Sequence, residues 1–289
     1  MTCPPGQVRA PRPRGGIVSD RVAVSLSGSN EATSAEESSR LKASGALDKA
    51  NVIDEGKTTN VEASVGDDLE LLADRALGFV QPGNTVGLGS GTTAKAFVRA
   101  LGRRAQRGLT VSCVATSEAI ASLAAESGLR AVALGEAPLD VIVDGADEVD
   151  PELNALKGFG GALVRERIVA AASRRQILLV RADKLVPALG SRGRLPVEVL
   201  PFALRFCIGK LRELGFAPEI RHDGGRPFIT DNGNFTLDCV TAPLADPAAT
   251  KRAIDGIPGV VDTGLFLGTA ERVLVAQDGR VRELRRKGS

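Results

Sequence analysis

Two acidic or glycine-rich stretches and one lysine-bearing loop hold the residues of this chain that suit proton and phosphate chemistry. The loop reads Lys157-Gly158-Phe159-Gly160-Gly161, and Val164, Ile168, Ala171 and Ala172 behind it recur at helical spacing, so it opens a helix. Helical side chains lean toward the helix N-terminus, so Glu166 points back over the loop toward Lys157. A carboxylate and an ammonium meeting at a backbone bare of Cβ atoms can remove a proton and stabilise the anion left behind.

The acidic stretch Asp144-Gly145-Ala146-Asp147-Glu148 follows the apolar run Val141-Ile142-Val143. Asp144 and Asp147 thus lie past the carboxyl end of a strand, where open α/β sheets bind ligands, and suit hydrogen bonds to sugar hydroxyls or proton transfer between oxygens. Ala146 and Val149 stand where a calcium loop needs a ligand and a glycine, which disfavours calcium; a carboxylate-bound magnesium stays open. The third stretch, Gly87-Leu88-Gly89-Ser90-Gly91-Thr92-Thr93, lies between a predicted strand and helix. Free N–H groups and the dipole at a helix start favour a small anion, and the hydroxyls add donors. Its glycines match neither the dinucleotide fingerprint nor a Walker loop. Lys184, after the apolar run Ile177–Val180 and Asp183, stands at another strand end and can meet the same phosphate. The ordinary state of each motif is a turn, a solvated acid or a surface lysine. Glu166 between Arg165 and Arg167 in particular reads as a solvated helix position when taken alone. The glycine loop and the upstream acids shift that balance toward function.

The elements that must position these residues alternate. A helix is expected from Asp67 through Val80, then strand Thr85–Leu88, helix Ala94–Leu101, strand Thr110–Ala115, helix Glu118–Glu126, and strands Arg130–Leu134 and Val141–Val143. Helix Gly161–Ser173 and strand Gln176–Val180 continue the series. Such alternation predicts an α/β, Rossmann-like domain with a largely parallel sheet over residues 67–194. From Leu195 the order becomes β-α-β-β-α-β, with a hairpin turn at Asp231-Asn232-Gly233-Asn234, which predicts a smaller ferredoxin-like α+β domain over 195–269. Residues 270–289 form a hairpin about Asp278-Gly279 that is expected to return to the catalytic domain. Residues 1–66 are rich in Pro, Gly, Arg, Ser and Glu and are expected to be a disordered extension, with an organelle-targeting role left open.

The 289 residues, 43% hydrophobic and 25% charged, suffice for a core without metal or disulfide staples. A net charge of +2, with neither Trp nor Tyr, gives no reason to expect nucleic acid, and no run of about 18 apolar residues predicts a membrane span. Cys3, Cys113, Cys207 and Cys239 share no metal-ligand spacing with each other or with His222, the single histidine. A reduced cytoplasmic setting fits them.

Taken together, the stretches resemble ribose-5-phosphate isomerase of the A type. Gly89-Ser90-Gly91-Thr92-Thr93 is similar to that family's phosphate loop, Asp144-Gly145-Ala146-Asp147-Glu148 to its acidic signature, and Lys157 through Glu166 to its lysine-glycine loop and Arg-Glu pair. Leu195–Val199, Thr230–Asn234 and Ile257–Val261 extend the resemblance, which covers the chain from Asp67 onward. It implies interconversion of ribose 5-phosphate and ribulose 5-phosphate in the non-oxidative pentose phosphate pathway, by proton transfer through an enediolate without metal or other cofactor. Glu166 would be the base, Lys157 would stabilise the oxyanion, Asp144 would assist ring opening and proton traffic, and Asp147 would hold hydroxyls. Ser90, Gly91, Thr92, Thr93, Gly145, Ala146, Gly158, Phe159, Gly160 and Lys184 would complete the substrate site, in a homodimer or homotetramer. The chain departs from the family pattern at Phe159, inside the loop, where it is expected to reshape the pocket mouth. Further departures are Arg181 and Asp183, before Lys184, and Leu69 and Glu70, where some relatives carry a lysine. The competing readings are a sugar-phosphate sensor domain, which lacks a helix-turn-helix pattern here, and an acyl-CoA transferase-like enzyme with Glu166 as nucleophile.

Overall fold

The computed structural model describes residues 55–286. The extension expected before the core therefore lies outside the described residues as far as residue 54. In chain order the first half comprises α1 (Glu55–Leu77), β1 (Thr85–Leu88), α2 (Gly91–Gln106), β2 (Ser112–Ala115), α3 (Glu118–Glu126), β3 (Arg130–Ala131), β4 (Val141–Gly145), β5 (Glu148–Val149), β6 (Ala155–Leu156), α4 (Leu163–Ala172) and β7 (Gln176–Arg181). The second half comprises β8 (Arg194–Val199), α5 (Leu204–Glu213), β9 (Ala217–Ile220), β10 (His222–Asp223), β11 (Arg226–Pro227), β12 (Phe235–Val240), α6 (Pro247–Asp255), β13 (Val260–Thr263), β14 (Leu265–Phe266), β15 (Arg272–Gln277) and β16 (Arg280–Arg285).

The chain is an α/β protein with a mostly parallel central sheet and smaller antiparallel sheets. The central sheet has seven strands in the order β16-β15-β7-β4-β1-β2-β3. Only the β15–β16 pair in it is antiparallel. Ile177–Val180 in β7 and Val141–Val143 in β4 are buried throughout, as parallel strands covered on both faces require. Burying each such side chain contributes about 1.5–3 kcal/mol. Leu72, Ala73 and Ala76 of α1 and Phe97, Val98 and Leu101 of α2 join the core against these strands. The strand order reverses between β1 and β4, and that switch point opens a crevice at their carboxyl ends.

A second sheet, β13-β8-β12-β9, is fully antiparallel and has the order a ferredoxin-like module requires. Cys207 and Leu211 of α5 and Ile254 of α6 pack with Val197, Leu237 and Cys239 of its strands. The α6 start is well specified: Asp246 caps it by accepting the Ala249 N–H at 2.8 Å, and Pro247 follows.

Several boundaries differ from the sequence expectation. α1 begins at Glu55, so residues 55–66 are helical rather than part of an unstructured extension. Once packing of the Leu72–Ala76 stripe nucleates the helix, each further residue costs little to add. α2 begins at Gly91 and runs to Gln106, and the chain before the Asp231–Asn234 turn forms the short β10–β11 hairpin and an isolated Ile229–Phe235 bridge. A small sheet of order β14-β6-β5 went unforeseen. Its strands are two residues each, too short to show any period.

Candidate active site

The crevice at the switch point brings together loops from four strands. Parallel pairing of Leu88 with Val143 sets Gly89 beside Asp144, and the Gly89 N–H donates to the Val143 carbonyl at 2.9 Å. Gly89 is required there, because a Cβ would fall 2.1 Å from Asp144 Oδ1. Asp144 is wholly buried, and its Oδ1 accepts the N–H groups of Ser90 (3.1 Å) and Gly145 (2.7 Å). Ser90 caps α2, so the N–H groups of Gly91, Thr92 and Thr93 are the first-turn donors without an intrahelical acceptor. The Ser90 hydroxyl is steered by Thr116, 2.8 Å away, and the Thr116 hydroxyl donates to the Leu88 carbonyl.

Lys157 follows β6, whose pairing with β14 fixes its backbone: the Lys157 N–H donates to the Gly264 carbonyl at 2.9 Å. Gly158, at φ +106°, then turns the chain so that the loop passes the cleft and α4 begins at Leu163. Glu166 in the first turn of α4 points inward and is 5% exposed. Lys157 Nζ stands 2.9 Å from Asp144 Oδ2 and 3.0 Å from Glu166 Oε2, and it donates to the Gly145 carbonyl. Among the described residues the ammonium is the one charged partner of those two carboxylate oxygens, held by distance rather than by a well-directed hydrogen bond.

Electrostatics divides the carboxyls. Burial pushes the Glu166 carboxyl up to about 7, the Asp144 charge adds to the rise, and Lys157 opposes it. Burial likewise raises Asp144 against the pull of Lys157 and its two N–H donors. Burial alone would lower Lys157, but Asp144 and Glu166 outweigh it and hold the ammonium above the ordinary lysine range. The result is a permanent cation beside a carboxyl that titrates near neutrality, the condition for an efficient general base.

A cavity of about 280 Å³ opens over this pair. Its walls are Ser90 to Thr93, Gly145 to Asp147, Lys157, Gly158, Gly160, Glu166 and Lys184. Lys184 reaches it from the turn after β7 and makes no ion pair among the described residues, whereas Asp183 is held by Arg181 and Arg192. One end of the cavity thus offers N–H groups, hydroxyls and an ammonium, and the other offers the Glu166 carboxyl and a second ammonium.

Two expected residues do not line the cavity with their side chains. Asp144 belongs to the cluster through Lys157, 2.9 Å away, and is buried with Ser90 N–H, Gly145 N–H and the Lys157 ammonium around it. The Phe159 side chain packs with the second domain's core under the Arg194 guanidinium, 4.0 Å from its ring, so it does not shape the pocket mouth. Only its N–H serves the site, donating to Asp147 Oδ2 at 2.9 Å. The reason is the apolar ring itself, which gains more by joining that core than by facing a polar cavity. Glu148 turns away too and accepts the Gly190 and Arg192 N–H groups, at 2.6 Å each. Unforeseen neighbours include Arg221, which pairs with Asp238 and donates to the Gly158 and Phe159 carbonyls at 2.8 and 3.2 Å. Nothing local in the sequence marks it, because its partners lie on other strands.

Fold and site together define a class: an α/β enzyme with a small polar cavity that joins helix-start N–H groups to a buried carboxyl–ammonium pair. A family profile, ribose 5-phosphate isomerase A (phosphoriboisomerase A), matches residues 112–280. The chain is 47% identical over 223 residues to ribose-5-phosphate isomerase A of Gloeobacter violaceus, covering 75% of this chain and 97% of that protein. It is 44% identical over 225 residues to that of Deinococcus radiodurans, covering 76% and 100%. The solved ribose 5-phosphate isomerase A of Methanocaldococcus jannaschii superposes with a TM-score of 0.73 at 37% identity, over 76% of this chain and 99% of that one. A D-ribose-5-phosphate isomerase in complex with phospho-erythronic acid gives 0.74 at 35% identity, with the same coverage. This chain belongs to the ribose 5-phosphate isomerase A family.

Proposed function

We propose that this chain interconverts D-ribose 5-phosphate and D-ribulose 5-phosphate, with Glu166 as the base. The observation that carries the reading is the buried Glu166 carboxyl, raised toward neutrality yet 3.0 Å from a permanent ammonium. The substrate phosphate lies against the Gly91–Thr93 N–H groups and Lys184. In the open-chain aldose, Glu166 takes the proton from C2, and the electron pair moves through the C1–C2 bond to the carbonyl oxygen. Lys157 stabilises the resulting enediolate oxyanion. Glu166 then returns the proton to C1 while the O2 proton passes to O1, and the ketose forms. Asp144, fixed by Ser90 and Gly145, holds Lys157 in place, and Asp147 with Phe159 N–H orients a substrate hydroxyl. Binding of phospho-erythronic acid by a relative supports a short phosphorylated chain as the ligand.

The reading extends to the protein's setting. Residues 67–194 and 270–289 form the catalytic domain and 195–269 the smaller domain. The protein acts in the cytoplasm within the pentose phosphate pathway. Phe202, fully exposed beside half-exposed Leu200 and Phe206, supports self-association into a homodimer or homotetramer, which light scattering tests directly.

The test of function is interconversion of the two pentose phosphates by purified protein in the presence of EDTA. Turnover that survives chelation is expected. Binding of ribose 5-phosphate without turnover would favour a sensor instead.

A further inference from the structure

We infer that Arg167, one residue past Glu166, is a positioning residue that sets the Glu166–Lys157 pair by fastening α4 to the 262–266 segment of the second domain. The inference rests on the reading of Glu166 as the base. Adjacent helical side chains diverge by about 100°, so Arg165, Glu166 and Arg167 fan out around the first turn rather than facing one another. Glu166 points into the cleft, and the arginines on either flank reach the second domain. Arg165 donates to Asn232 Oδ1 at 2.9 Å and to the Asp231 carbonyl at 2.6 Å.

Arg167 is the more deeply engaged of the two. Its guanidinium pairs with Asp262 and donates to the carbonyls of Thr263 (2.7 Å) and Leu265 (3.0 Å). Asp262 is itself oriented by the Thr263 N–H at 2.7 Å. The guanidinium also lies 4.0 Å from the centroid of the Phe266 ring, and the Lys157 ammonium lies 5.5 Å from the same ring. The segment that Arg167 grips is also the one that seats the Lys157 backbone. Gly264 accepts the Lys157 N–H, Leu265 pairs with Leu156, and a Cβ on Gly264 would fall 2.3 Å from the Lys157 carbonyl. One guanidinium therefore fixes the helix of the base relative to the strand that sets the ammonium. A lysine, as a single point charge, cannot meet a carboxylate, two carbonyls and a ring together.

Glu166 is faced by Lys157 from the loop after β6, by Asp144 near the end of β4 and Asp147 just beyond it, and by Lys184, which lines the same cavity. Its titration depends on those distances, so a shifted α4 changes the pH profile as well as the rate. The experiment compares Arg167→Met, Arg167→Lys, Asp262→Asn and Glu166→Gln with the parent protein. It measures kcat, KM, the pH profile of kcat/KM, and the fraction of deuterium from C2 of labelled ribose 5-phosphate retained at C1 of the product. Retention is counted per turnover and is blind to the fraction of protein folded.

For Arg167→Met we expect kcat to fall by about 10–100-fold, the scale of a base displaced by roughly 1 Å. KM should change little, the acid limb should move, and deuterium retention should drop. Arg167→Lys and Asp262→Asn should show smaller shifts in the same direction, and they serve if the Met variant does not fold. An unchanged acid limb and unchanged retention in all three would overturn the inference while an inactive Glu166→Gln left the base assignment standing. Normal turnover by Glu166→Gln would overturn both.

Discussion

The Glu166 carboxylate meets the Lys157 ammonium at 3.0 Å, with both side chains almost wholly removed from solvent. The same ammonium stands 2.9 Å from Asp144, so one cation is shared by two buried acids. Taking Glu166 alone out of the pair leaves Asp144 to hold the ammonium. Taking Lys157 out leaves two buried carboxyls without the cation they share, Asp144 keeping only its two backbone N–H donors. The consequences differ, and each is measurable.

Glu166→Gln keeps the shape of the side chain and removes the carboxylate proposed as the base. We expect kcat to fall by about 10²–10⁴-fold, the usual share of general base catalysis, with binding of ribose 5-phosphate retained. Steady-state kinetics together with calorimetric binding check both halves, and near-normal turnover would reject the assignment.

The pH dependence follows from burial, which lifts the Glu166 carboxyl from 4.5 to about 7. A base must be unprotonated, so kcat/KM should climb through pH 7 and level off above it. Stability runs the other way. Between these two values the folded chain holds a proton that the unfolded chain has lost, so this group's contribution is full below the lower value and is lost as pH rises through the upper one. Urea unfolding at about pH 5 and about pH 8 should therefore show Glu166→Gln gaining stability relative to the parent as pH rises.

Lys157→Met removes the cation between two buried acids. Breaking a buried pair by deleting one partner costs about 3–5 kcal/mol. The loss should be larger at about pH 8 than at about pH 5, where the orphaned carboxyls can take protons. Equal losses at both pH values would mean that Asp144 and Glu166 do not depend on this ammonium.

Lys184→Ala should act on binding rather than on chemistry. A charged hydrogen bond contributes about 1.5–3 kcal/mol, so KM for ribose 5-phosphate should rise by about 10–100-fold with kcat little changed. An unchanged KM would place the phosphate away from the turn after β7.

Much of the architecture was legible because it is written in local patterns. The apolar runs of β1, β4 and β7 and the β-α-β-β-α-β order after Leu195 follow from burial on two faces and from turn chemistry. The stretches that meet at the crevice were legible as anion-binding and acidic loops at strand ends. Three features were not legible. The two-residue strands that seat Lys157 carry no period. Phe159 reads as a pocket residue until the second domain's core is seen to claim it. Arg165 and Arg167 make Glu166 look solvated, because sequence alone does not reveal that both reach Asp231 and Asp262 instead.

The pairing of β15 beside β7 also governs how the protein is made. The ribosome must synthesise residues 182–271 between them, which at about 5–20 residues per second takes roughly 5–20 s. Throughout that interval the apolar edge of β7 waits without its neighbour, an invitation to wrong strand partners. The intervening β8–β13 module has its own core and can form as soon as it emerges. Its appearance brings Asp262 and the 262–266 segment to α4 before the β15–β16 hairpin arrives. The central sheet is thus closed by strands that are synthesised only after the β8–β13 module.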